Sequence, residues 1–138
     1  MADPASVIGI LGVCMQFAKE IVKYSTHFKN APKDAKELVA EVAAIGVVLD
    51  DLRTYIQEQS VGRNSFSRTS VLFFAVDGCR QQLEDIHGKL GKLASHNRVV
   101  KLVERTLWPF DKKETKDAIL ALNRFAQIFH VALTLDGL

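Results

Sequence analysis

Cys14, Cys79, four histidines and the adjacent pair Asp50–Asp51 are the side chains with types suited to catalysis or metal binding, so their spacing decides what chemistry is open to them. A zinc site draws its ligands from short, regular Cys and His spacings, and two cysteines this far apart supply neither that nor a disulfide framework. Both fall at apolar helical positions and read as buried free thiols, in keeping with a reducing, intracellular setting. His27, His87, His96 and His130 sit singly, with no Cys, Asp or Glu at ligand spacing. A thiol nucleophile needs a base and a group to orient that base, and neither accompanies Cys14 or Cys79. Asp50 and Asp51 invite an acid/base reading, but adjacent helical positions point about 100° apart. The run Gly88-Lys89-Leu90-Gly91-Lys92 resembles the end of a phosphate-binding loop. Ile86, however, stands where the first glycine is required and Leu93 where Ser or Thr belongs. The chain is therefore expected not to be an enzyme and to hold no metal, nucleotide or other cofactor.

The elements that must position these residues are helices. A chain of 138 residues with 48% hydrophobic and 25% charged residues has the size and composition of one globular domain, residues 1–138. Three prolines and eight glycines leave little material for the repeated turns of a sandwich or barrel. The first helix is expected from Asp3 or Pro4 to about Phe28. The second runs to about Gln59, with Pro32 in its first turn and a seam of Leu38, Val42, Ile45, Leu49, Leu52 and Ile56 at alternating spacings of four and three. After a polar, basic loop over Ser60 to Ser70 that includes Arg63 and Arg68, a third helix is expected from Ser70 to Ala94. Its seam is Leu72, Val76, Cys79, Leu83, Ile86, Leu90 and Leu93. A turn over Ser95 to Asn97 leads to a short amphipathic helix, Arg98 to Trp108. Asp111 and Glu114 have the spacing of a capping box opening a last helix to about Leu135, with a stripe of Ile119, Leu122, Phe125, Phe129 and Leu133. The fold expected is all-α, an antiparallel four-helix bundle with one additional short amphipathic helix.

The stretch Pro4 to Ala18, PASVIGILGVCMQFA, is unlike the rest because it carries no charged residue. A core helix of a small domain shows one polar face, and here only Ser6 and Gln16 supply it. Three readings are open: a helix enclosed by its neighbours, a membrane-active segment held in reserve, or a secretory signal. The last is disfavoured by the absence of a basic stretch ahead of it. At fifteen residues the segment is shorter than the roughly 18 to 20 needed to span a bilayer. Gly9 and Gly12 point either to close helix packing, the simpler reading, or to a helix of marginal stability.

Charge is distributed unevenly behind a net +2. From Asp34 to Glu58 six acids face two bases, a balance of −4, whereas from Lys89 to Lys116 eight bases face three acids, a balance of +5. The basic part lacks interleaved aromatics and a recognisable reading helix, so nucleic acid is not an expected partner. Its amphipathic segment suits an anionic membrane surface, an acidic protein patch or solvent.

Several stretches together resemble a known family. MADPASVIGILGV at the start, NAPKDAKEL opening the second helix and LWPFDKKETKDAILALNR before the last are similar to the N-terminal HeLo-like domain of fungal NLR-like STAND receptors and ankyrin-repeat proteins. The resemblance covers essentially the whole chain and is most characteristic over 1–13 and 107–124. It implies a bundle related to that of the mixed-lineage kinase domain-like pseudokinase and of plant RPW8-type domains, which act in regulated cell death. The implied function is a membrane-targeting effector of innate immunity or self-recognition, cytoplasmic at rest and at the plasma membrane when activated. It would self-associate when an attached or partner C-terminal receptor or amyloid-forming region is triggered. By that analogy Val7, Ile8, Ile10, Leu11, Val13 and Phe17 enter lipid. Charge alone nominates Lys89, Lys92, Arg98, Lys101, Arg105, Lys112 and Lys113 as contacts to anionic headgroups. The alternative is a helical protein-interaction domain of a STAND receptor with Pro4 to Ala18 permanently buried.

Overall fold

The computed structural model describes residues 4–25, 32–61, 69–100 and 110–136, with side chains over 6–25, 32–58, 72–90 and 110–134. These residues form four helices: α1 (Pro4–Ser25), α2 (Lys33–Val61), α3 (Thr69–Val100) and α4 (Lys112–Asp136). Each begins where local chemistry directs it. The carbonyl of Pro32 accepts the Ala35 and Lys36 amides at 3.0 and 3.2 Å, which places Pro32 just ahead of α2 rather than within its first turn. At α4 the capping box is present in full. The Asp111 carboxylate accepts the Glu114 amide at 2.7 Å and the Glu114 carboxylate accepts the Asp111 amide at 3.1 Å, satisfying two donors that helix geometry leaves unpaired.

The seam of α2 buries as its spacing predicts, and so does that of α3 as far as Leu90, the Leu93 side chain lying outside the described residues. Leu38, Val42, Ile45, Leu49, Leu52 and Ile56 are fully buried, and so are Leu72, Val76, Cys79, Leu83, Ile86 and Leu90. Each such Leu, Ile or Val contributes roughly 1.5–3 kcal/mol relative to staying in water. In α4 the buried line runs through Thr115, Ala118, Leu122, Phe129 and Ala132, while Ile119, Phe125 and Leu133 are only partly covered. Small residues in the seam let α4 approach its neighbours, and a stripe drawn through the large side chains alone lies to one side of it. Buried Thr115 satisfies its hydroxyl by donating to the Asp111 carbonyl at 3.0 Å.

The four-helix bundle has a specific cyclic order. α1 packs on α2 and α3, α4 packs on α2 and α3, and among the described residues the backbones of α1 and α4, and of α2 and α3, nowhere come within 8 Å between Cα atoms. The helices therefore stand at the corners of a square in the order α1, α2, α4, α3. Between α3 and α4 the pairs Gly78–Phe125 and Lys89–Glu114 show eleven steps forward on one helix matched by eleven steps back on the other, an antiparallel pair. Between α1 and α3 the contacts Cys14–Val76 and Glu20–His87 advance together, separated by 62 and 67 residues, so these two neighbours run parallel. α2 and α3, consecutive in the chain, occupy opposite corners of the square.

One expected break is absent. α3 continues through Ser95, His96 and Asn97 to Val100, where a turn was expected. These are mediocre helix formers, but each costs at most about 0.7 kcal/mol against Ala, and neither Gly nor Pro is present to stop the helix. The short helix expected over Arg98 to Trp108 thus yields its first three residues to α3, and 101–109 lie outside the described residues. Likewise α2 reaches Val61 and α3 begins at Thr69, so both ends of the expected loop over Ser60 to Ser70 are helical, and 62–68, with Arg63 and Arg68, lie outside the described residues. The expected continuation of α1 to Phe28 lies there as well.

Candidate functional site

Helix α1 is where an unusual sequence meets an unusual position. Its inward line is Val7, Leu11, Cys14, Ala18 and Ile21, all buried. Ile8, Ile10, Met15 and Phe17 pack against that core and are partly covered, whereas Val13 is 44% exposed. Of the six residues nominated for lipid, Val7 and Leu11 are thus enclosed, Ile8, Ile10 and Phe17 lie at the margin, and Val13 faces solvent. The charge-free stretch is neither surrounded on all sides nor equipped with a polar outer face. No described helix is long and apolar enough to cross a membrane.

Gly9 and Gly12 do not serve close packing. A Cβ built on either glycine meets nothing within 4 Å, which overturns the simpler of the two expectations for them. The pair instead lowers the intrinsic helical stability of α1. Between α1 and α2 runs an open groove of about 490 Å3, lined by Gly12, Met15, Val22, Gly46 and Val47 among others. The groove exists because small residues line both helices. Gly46 lies near Ala18, so that a Cβ on Gly46 would sit 3.7 Å from the Ala18 Cβ.

The C-terminal half of α1 is held to α3 by a polar cluster invisible to local sequence spacing. Glu20 accepts from Gln16 Nε2 at 2.7 Å and from the Tyr24 hydroxyl at 3.3 Å, and its Oε1 lies 3.0 Å from His87 Nε2. The His87 ring lies between Phe17 and Tyr24, with centroids 4.8 and 5.4 Å away. The hydrogen bond from His87, followed by that from Gln16, holds the Glu20 carboxyl below the ordinary range for a glutamate. His87 is therefore not the isolated histidine that spacing implied; its partner is 67 residues away on another helix. Aromatic rings flank the imidazole, so this cluster is arranged to position α1 against α3. Among the described residues no group of three potential metal ligands forms. Asp50 and Asp51 are both exposed, and Asp50 pairs with Arg53 at 3.0 Å.

The basic candidates separate into three groups. Lys112 and Lys113 are exposed on the first turn of α4. Lys89 is engaged: its Nζ is 2.6 Å from Glu114 Oε2 and 4.9 Å from the centroid of Phe110, clamping the start of α4 to α3. Glu84, Asp85, Glu114 and Asp117 rim the groove of about 690 Å3 beside it, so its surroundings are acidic. Lys92 and Arg98 lie on the α3 backbone with side chains outside the described residues, and Lys101 and Arg105 fall outside them altogether.

The fold defines an all-α four-helix bundle, the coarsest class to which the chain can be assigned. No family model, no curated protein and no solved structure matches the chain. The HeLo-like resemblance rests on the sequence stretches that carry it.

Proposed function

We propose that the domain is a membrane-targeting cell-death effector of the HeLo-like kind, serving fungal innate immunity or self-recognition, cytoplasmic at rest and drawn to the plasma membrane on activation. One observation carries the reading: the charge-free first turns of α1 dock on one side only, against α2 and α3, and leave Val13 exposed. In the proposed mechanism a C-terminal receptor or amyloid-forming region, attached or supplied by a partner, brings copies together. Helix α1 then leaves the bundle, and Val7, Ile8, Ile10, Leu11, Val13 and Phe17 enter an anionic leaflet.

Magnitudes show why a trigger is needed. Undocking exposes Val7, Leu11, Cys14 and Ile21, at roughly 8 kcal/mol if each side chain is worth about 2. Each basic side chain near an anionic surface returns on the order of 1 kcal/mol. Lys112, Lys113 and the other basic candidates offset part of that cost, and Lys89 joins them only after leaving Glu114. Entry into lipid restores the apolar contribution, so the cost falls on the path rather than on the end state. At about 1.5 Å per residue, Pro4 to Ala18 reaches about 22 Å, less than the roughly 30 Å hydrocarbon core. One copy therefore penetrates without crossing, which gives self-association its role.

The complete burial of Val7 and Leu11 favours a second reading, a helical interaction domain whose α1 never leaves. Dye release from anionic and neutral vesicles separates the two when the chain is compared with Val13→Lys. Position 13 is exposed, so that variant keeps its fold to within about 0.5 kcal/mol while placing a charge in the middle of the inserting segment. Release from anionic vesicles that Val13→Lys abolishes supports the effector. A well-folded chain that releases nothing even when forced to oligomerise supports the interaction domain.

A further inference from the structure

We propose that Cys14 and Cys79 form a redox-closable pair, a modification site at which a hydroperoxide converts two core thiols into a disulfide tethering α1 to α3. The chain has two cysteines, and both belong to the one hydrophobic core. Both are fully buried free thiols, one in the inward line of α1 and the other in that of α3. The Cys14 thiol donates to the Val76 carbonyl at 3.8 Å, and Cys79 follows Val76 by one turn on the same buried face of α3, so the Cys14 side chain lies against the stretch of α3 that carries Cys79. Parallel packing in register produces this meeting; a shift of α1 by one turn would separate the sulfurs.

The bond changes balance within the pair. One thiol gives up its proton, and its sulfur attacks an oxygen of the hydroperoxide. An S–O bond forms, the O–O bond breaks, and water or an alcohol leaves. The sulfur of the second residue then attacks the sulfenic sulfur, forming S–S, breaking S–O and releasing water. Two thiols are oxidised by two electrons in total, and the peroxide is reduced by the same two. The thiolate is the reactive form, and the neighbouring Cys14 thiol together with burial pushes the Cys79 thiol well above its ordinary range. The closed bundle is therefore slow to react, and openings of α1 admit the oxidant; redocking then returns Cys14 to the turn of α3 that carries Cys79. Closure requires rotation at both side chains and approach of the sulfurs to a bond of about 2.05 Å. Once closed, α1 cannot leave α3 until the bond is reduced. The chemistry does not rest on the membrane reading, since the tether forms whether or not α1 ever meets lipid.

The test uses the full chain and hydrogen peroxide, with and without sub-denaturing urea to promote opening. After quenching, the protein is unfolded, alkylated with a maleimide, weighed intact and mapped by proteolysis. The expected result is a monomer that has lost both alkylatable thiols and two hydrogens, yields a peptide joining 14 to 79, and recovers both thiols with dithiothreitol. Retention of both thiols in urea, oxygen addition at either sulfur without a cross-link, or a disulfide between chains would each overturn the proposal. Amide exchange over 7–18 reads the tether separately: it slows in the oxidised protein if α1 is held, and unchanged exchange refutes the tether. Mapping and exchange need no substituted protein, so the outcome does not depend on whether Cys79→Ala folds.

Discussion

Replacing both Gly9 and Gly12 with Ala should stabilise the domain, although the same change at Gly78 should not. In a helix interior Ala is favoured over Gly by about 1 kcal/mol, and a new Cβ at position 9 or 12 meets nothing within 4 Å. Neither substitution has a steric term to subtract, so the pair is worth about 2 kcal/mol, or about 1 M in the urea midpoint at an m-value near 1.5–2 kcal/mol/M. At Gly78 a Cβ would lie 3.1 and 3.2 Å from Cζ and Cε1 of Phe125. That ring must yield by a few tenths of an ångström, and overpacking of this kind costs about 1–3 kcal/mol. The propensity gain is cancelled or exceeded. Trimming the obstacle with Phe125→Leu should make the Gly78→Ala change favourable again, a coupling of about 1 kcal/mol in a double-mutant cycle. Urea unfolding followed by far-ultraviolet circular dichroism measures all of these variants. A destabilised Gly9→Ala/Gly12→Ala protein would refute the open surroundings assigned to α1, and a Gly78→Ala gain equal to that at Gly12 would refute the close α3–α4 approach.

Asp111→Ala removes the side-chain half of the capping box and should cost about 1 kcal/mol, read as a lowered urea midpoint, with Asp111→Asn retaining most of the stability. The acid side of the stability profile tests the α1–α3 cluster. Because the Glu20 carboxyl is held below its usual value of 4.5, its contribution is complete above the unfolded pKa and is lost as pH falls through the lower, folded one. Unfolding midpoints collected downward from about pH 5 should therefore decline less steeply in Glu20→Gln than in the parent chain, and an unchanged slope would exclude Glu20 as a source of the decline.

Much of this architecture is legible before any coordinates. Leu38 through Ile56 alternate by four and three residues and bury without exception, because in a helix that spacing keeps side chains on one face whatever lies opposite. The capping box at Asp111 and Glu114 is equally local, being completed within four residues. The failures have local causes of another kind. Ser95, His96 and Asn97 look like a turn by propensity, but a deficit of tenths of a kcal/mol per residue does not end a helix. In α4 the burial of Ala118 and Ala132 was obscured because hydropathy ranks small side chains below the Phe and Ile beside them.

What the sequence by itself determined is the number of long helices, the inward face of each, the cap of α4 and the charge-free character of α1's first turns. Tertiary structure alone decided which faces meet. A seam states that a face is buried without naming its partner, and a connection of several residues lets α3 pack beside α2 or across the diagonal beside α1. The parallel α1–α3 pairing settles that choice, and with it come two cross-helix arrangements: Glu20 against His87, and Cys14 against the Val76–Cys79 turn of α3. Each joins residues more than sixty positions apart, and helical periodicity, which repeats within a turn, carries no information over that distance.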